Sequence, residues 1–147
     1  MDIPFLAKWR ARHGPSPGIG VGQAPGEADP ASVEELLGEC ELLRQRAERH
    51  DVRLDNSADS LSALDQLVPN WRDDPDVMGW LGNDAGLYLG TVILHTVPGT
   101  AWQVWPNGHP VIRLASGREL DTVALGHAWA ESGSPELSQV RAEAAED

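Results

Sequence analysis

The sequence predicts an α+β domain in which about four to five helices pack on a three-stranded antiparallel meander. Three observations carry that expectation. Residues 32–95 place apolar side chains at helical spacing behind residues suited to cap helices. Residues 101–123 hold short runs of strand formers separated by Asn107-Gly108 and Ala115-Ser116-Gly117. The chain has 147 residues, and domains of roughly 150 residues bury about 68–70% of their unfolded surface, enough for a core without disulfide or metal staples.

The elements follow in order. Residues 1–12 place Ile3, Leu6 and Trp9 at helical spacing, which predicts a short helix. Residues 14–31 are rich in glycine and proline and lack periodicity, so 1–31 reads as a short helix plus a linker ahead of one domain at 32–140. Gly18, Gly20 and Gly22 imitate a dinucleotide fingerprint. The spacing is wrong, and no strand precedes them to aim a phosphate cradle.

A first long helix is expected at 32–50, with Ser32 and Glu35 as a capping box and Val33, Leu36, Leu37, Cys40, Leu43 and Ala47 on one stripe. A second is expected at 58–68, capped by Asn56 or Ser57, with Pro69 ending it or starting a new turn. A third, at 76–95, follows an Asp74 cap and Pro75 at the first helical position. It carries Gly82, Gly86 and Gly90 at every fourth position. Each glycine costs a helix about 1 kcal/mol relative to alanine. The expected compensation is close approach of another backbone on that face. Asn83 and Asp84 are polar positions in mid-helix, expected to lie on a solvated flank, to bond a facing loop or to meet a ligand.

Strands are expected at 101–105, 111–114 and 118–123. A two-residue type I′ turn at Asn107-Gly108 pairs Trp102 with Arg113 and Gln103 with Ile112. A three-residue second turn pairs Ile112 with Leu120 and Arg113 with Glu119. Ala101, Trp105, Ile112, Leu114 and Leu120 then form the buried face, and Trp102, Val104, Val111, Arg113, Glu119 and Asp121 the outer one. A helix at about 123–131 and a last short helix end in an acidic tail at 141–147.

Formal net charge is −12, with residues 32–76 carrying 12 acids against 5 bases and residues 77–147 carrying 8 against 3. Such a field repels nucleic acid and anionic membrane, and favours solubility or a basic protein partner. Cys40 is the only cysteine, which excludes an intrachain disulfide. No stretch approaches the ~18 apolar residues of a spanning helix, and the N-terminus has no signal-peptide pattern. The expected compartment is the cytoplasm.

The stretches ECELLRQRA, SLSALDQLVPNWRDDP, WLGNDAGLYLGTVILHTVPGTAW and PVIRLASGRELD resemble an uncharacterised actinobacterial (Streptomyces-type) family known only as a domain of unknown function. The likeness covers roughly residues 1–140 and implies the fold and a bacterial cytosolic origin. It implies no activity, cofactor or catalytic residue.

Catalytic patterns are missing. The histidines at 13, 50, 95, 109 and 127 include no pair at helical ligand spacing, and there is no HExxH, CxxC or G-x-S-x-G. Cys40 lies in a core stripe, and Asp73, Asp74 and Asp76 lack the glycine and closing glutamate of a calcium loop. No cofactor or metal is expected. Two functions stay open: a non-enzymatic acidic interaction or regulatory module, or an enzyme or small-ligand binder built from scattered polar residues. The candidate surface comprises Trp102, Arg113, Glu119, Asp121, Asn83 and Asp84. Trp102 is expected opposite Arg113, with Glu119 beside it, and two readings of this face stay open: an exposed surface, or one that a helix covers so that Trp102 is core.

Overall fold

The computed structural model describes residues 30–147, as six helices and a three-stranded antiparallel sheet. The expected helix at 1–12, and all but the last two residues of the expected linker, lie outside the described residues. The elements are α1 (Pro30–Leu37), α2 (Glu41–Glu48), α3 (Ala58–Trp71), α4 (Pro75–Thr96), β1 (Ala101–Val104), β2 (Pro110–Arg113), β3 (Glu119–Leu120), α5 (Thr122–Ser132) and α6 (Leu137–Ala145). The α+β class is as the sequence predicts.

Helix α4 is the centre. Its N-terminus is built as the sequence requires: Asp74 accepts the Asp76 N–H at 2.9 Å, and Pro75 fills the position where an N–H would have no partner. From Leu81 to Ile93 it is buried on nearly every side. Its glycine stripe packs against α5. A Cβ on Gly86 would lie 2.5 Å from the Val123 Cα, and one on Gly82 would lie 2.8 Å from the His127 Cα. Gly126 answers from α5, where a Cβ would lie 2.6 Å from the Gly86 Cα. At Gly90 the same absence makes room for the Trp102 ring, whose Cη2 and Cζ2 atoms press on the place where a Cβ would stand.

The expected helix at 32–50 is two helices. The first begins at Pro30, and the chain breaks at Gly38–Cys40, where Cys40 takes a left-handed conformation with φ 41°. Arg44, on the second helix, bridges the break. The Arg44 guanidinium donates to the carbonyls of Glu39 (2.9 Å), Gly38 (2.9 Å) and Leu54 (2.8 Å) and to Asn56 Oδ1 (3.0 Å). It also lies 5.2 Å from the Tyr88 ring centroid. The bonds to Gly38 and Glu39 satisfy carbonyls that an unbroken helix would have used itself. Cys40 is buried as its stripe predicts, and burial pushes its thiol well above the usual range, with the Asp84 carboxylate adding to the effect.

Helix α3 starts where Ser57 accepts the Ser60 N–H at 3.2 Å, but it runs past Pro69 to Trp71. Pro69 costs one backbone bond in the last turn. Trp71 offsets it: the ring is 2% exposed, and its N–H donates to His50 Nε2 at 3.2 Å. Asp65 ties α3 to the C-terminal helices. Its carboxylate accepts the Trp129 indole N–H (2.9 Å), the Leu137 N–H (2.8 Å), the Ser138 N–H (3.2 Å) and the Ser138 hydroxyl (2.7 Å). It caps α6, whose own N-cap residue Glu136 makes no such bond. Helical structure runs on through residue 145 of the acidic C-terminus, and Asp147 accepts from Ser116 and pairs with Arg118 at 3.1 Å.

The second hairpin has the predicted register, Ile112 opposite Leu120 and Arg113 opposite Glu119. The first does not. Trp102 pairs with Ile112, and Arg113 pairs with Ala101. The loop has three residues, Pro106–Gly108, closed by Gly108 N–H to Trp105 C=O at 2.8 Å and Trp105 N–H to His109 C=O at 2.9 Å. A type I′ turn needs positive φ at both central residues. Pro106, with φ fixed near −65°, suits the second position of a type I turn, and Gly108 alone takes positive φ, at 89°. The one-residue slip turns β1 over, so Trp102 faces the helices and Trp105 the outside. The third strand is shorter than the predicted 118–123 because Asp121 caps α5, accepting the Ala124 N–H at 3.0 Å.

Two stability outcomes follow. Gly86→Leu should unfold the domain or lower its stability by several kcal/mol, about the upper end for overpacking, because backbone rather than a movable side chain stands in the way. Asp65→Ala should cost about 2–4 kcal/mol, since it strands buried donors on α6 and Trp129. Denaturant unfolding of both variants checks this.

Candidate interaction surface

The flipped β1 puts Gln103 and Trp105 on the outer face with Val111, Arg113 and Glu119. Glu119 organises that face. Its carboxylate accepts the Gln103 amide at 2.8 Å and the Trp105 indole N–H at 3.1 Å, reaching from β3 across β2 to β1. The bridge crosses the side of β2 to which Val111 points, and Val111 is fully buried. Trp105 is 36% exposed, one of the three most exposed large apolar side chains among the described residues. Its ring also meets His109, with centroids 5.3 Å apart and planes tilted by 43°. His109 Nε2 lies 2.9 Å from Asp121 Oδ1, the same oxygen that caps α5. The tip of the first hairpin is thus fastened to the start of α5.

The six residues singled out in the sequence separate into two groups. Arg113, Glu119 and Asp121 lie on or beside this surface, with Arg113 exposed. Trp102 does not. It is half-buried on the opposite face, packed against Gly90, and its indole N–H has no partner. Asp84 faces the start of α2, where it accepts the Leu43 N–H at 3.2 Å and so caps a helix that lacks a cap of its own. Asn83 sits beside it on α4 with its side-chain oxygen buried and unbonded. Trp105, which the expected register puts on the buried face, and His109, which belongs to no expected strand, are the members that the sequence pattern misses. The proline before Asn107-Gly108 is the signal that would have found them, because it favours the three-residue loop.

The surface holds a restrained aromatic ring, the carboxylates of Glu119 and Asp121, and the exposed Arg113 guanidinium. Among the described residues, no group of three or more His, Cys, Asp or Glu side chains is placed to hold a metal ion. Among them also, no helix is long and apolar enough to cross a membrane.

Tyr88, the only tyrosine in the chain, lies apart from this surface. It is fully buried, accepts the Asn56 N–H at 2.8 Å and shares a hydrogen bond with Ser60 at 2.7 Å. Burial raises its phenol above the ordinary value of 10.0, outweighing the hydrogen bonds from Ser60 and Asn56 that act the other way. A raised folded-state value means this contribution to stability is intact below pH ~10 and is lost as pH rises through the folded-state value. Absorbance titration at the tyrosinate band should give one transition above pH ~10, accompanied by falling thermal stability.

No curated protein and no solved structure gives a significant match to the chain. A family described as a family of unknown function, DUF6278, matches residues 1–147, the whole length. The chain belongs to the DUF6278 family.

Proposed function

We propose that this protein is a non-enzymatic, cytoplasmic interaction module that binds a basic protein partner through the outer face of its sheet. The observation that carries the reading is Trp105: an exposed indole, held at its N–H edge by Glu119 and in contact with the His109 ring. A tryptophan fixed in this way loses little side-chain freedom when it becomes the anchor of an interface. Beside it, Glu119 and Asp121 supply negative charge, and the chain as a whole carries a formal −12. That sign disfavours nucleic acid and anionic lipid and speeds encounter with a cationic protein. An arginine of the partner has two complementary surfaces here, the indole face and the Glu119 carboxylate.

The probe is an oligo-arginine peptide titrated into the isotopically labelled protein. Amide shifts should concentrate at Gln103, Trp105, Arg113 and Glu119. Trp105→Ala should weaken binding by roughly tenfold, the scale of a hot-spot residue, and leave the melting temperature nearly unchanged. Glu119→Gln should reduce both affinity and its salt dependence. Shifts scattered over carboxylates throughout the chain, with both variants binding like wild type, would show only diffuse polyanion attraction and end the proposal.

A further inference from the structure

The sheet order is β1-β2-β3, so β1 is an edge strand, and no described strand pairs with its outer side. The alternation of an antiparallel ladder tells which backbone groups that side carries. The Trp105 N–H bonds to His109 across the hairpin. Gln103 and Ala101 therefore also point their N–H and C=O groups at β2, and the residues between them point theirs away. Trp102 and Val104 thus present two N–H and two C=O groups along the free edge. Pro110, which has no N–H to give, stands opposite Val104, a position that leaves the β1–β2 ladder intact.

Proteins usually blunt such an edge with lysine, proline, a bulge or an inward charge. The strand Ala101-Trp102-Gln103-Val104 has no charge and no proline. It ends in Val104 and Trp105, which are 37% and 36% exposed.

We propose that β1 receives an extended, basic segment of a partner protein as a fourth strand. This rests on the acidic-module reading above and specifies how the partner is held. The edge groups of Trp102 and Val104 supply the main-chain bonds, and alternate side chains of the incoming strand meet two different faces. On the outer face a cation lies over Trp105, towards the Glu119 carboxylate that already reaches β1. On the other face an apolar side chain lies beside Val104. Charge selects the occupant. A second copy of this chain would set −12 against −12, whereas a basic strand is attracted.

The test uses a synthetic peptide of alternating arginine and valine, and the same peptide with alternate backbone nitrogens methylated along either edge. Hydrogen exchange of the labelled full-length protein is read with and without each peptide. The unmodified peptide should slow exchange at the Trp102 and Val104 amides. Methylation along the docking edge should weaken binding by roughly tenfold, as for loss of main-chain hydrogen bonds. Val104→Pro removes an outward N–H without touching the β1–β2 ladder and should weaken binding similarly. If Val104→Pro fails to fold, the methylated peptides decide the matter on the wild-type protein. Binding that is sensitive to Trp105→Ala but leaves both amides exchanging freely, or tolerates methylation on both edges, overturns strand addition and leaves the outer-face reading standing. No binding of either arginine peptide overturns both. Protection of these amides in a dimer without peptide makes the occupant a second copy and overturns the basic-partner assignment.

Discussion

The contact between α4 and α5 is backbone on backbone, and the rest of the structure is arranged around it. Gly82, Gly86 and Gly126 leave no side-chain layer between the two helices. Once α5 is held so close, its first turn, Thr122 and Val123, sits over Gly86, and the strand leading into it must end at Asp121. That is why β3 has two residues and why the sheet lies at the C-terminal end of α4. Gly90 extends the same surface, so the Trp102 ring lies directly on the helix and fixes β1 there. The helix-propensity cost of the glycines, about 1 kcal/mol each, is offset by dispersion contacts over the length of the interface.

Polar groups do the joining that apolar packing cannot. Among the described residues four carboxylates cap helices: Asp74 and Asp121 each cap their own, Asp84 caps α2 from another, and Asp65 caps α6 while holding Trp129. Arg44 does the converse, taking up carbonyls left open where α1 and α2 part. The acidic composition therefore has a structural component as well as an electrostatic one. Carboxylates near helix N-termini are favoured by the helix dipole, so part of the net charge serves the fold before it serves any partner.

Features decided locally were legible in the sequence. The Ser57 and Asp74 caps, the second hairpin with its Gly117 loop, and the burial of Cys40 follow from residues a few positions apart. The glycine stripe was legible as a packing face, though its partner helix was not. Features decided at long range were hidden. The break at Gly38–Cys40 depends on Arg44 meeting Leu54, Asn56 and Tyr88, residues that no helical periodicity connects. The first hairpin was misread for a local reason: Pro106 competes with Asn107-Gly108 for control of the turn, and the proline prevails because its φ cannot change. That single register exchanged Trp102 for Trp105 at the candidate surface while leaving Glu119 and Arg113 in place.

The exchange alters the physical character of the surface. A tryptophan opposite Arg113 would have been a cation-stacked ring, already partnered and with little to offer a second cation. Trp105 instead gives its N–H to a carboxylate, rests one side on an imidazole and leaves more than a third of its area to solvent. The bond from Glu119 withdraws the polar edge of the indole from competition with water, so what remains exposed is the apolar, electron-rich part of the ring. The same carboxylate has unused lone pairs. Hydrogen bonds from Gln103 and Trp105 keep it over β1, where charge alone would let it point into solvent. An aromatic face and a fixed negative charge are thus held side by side by one glutamate.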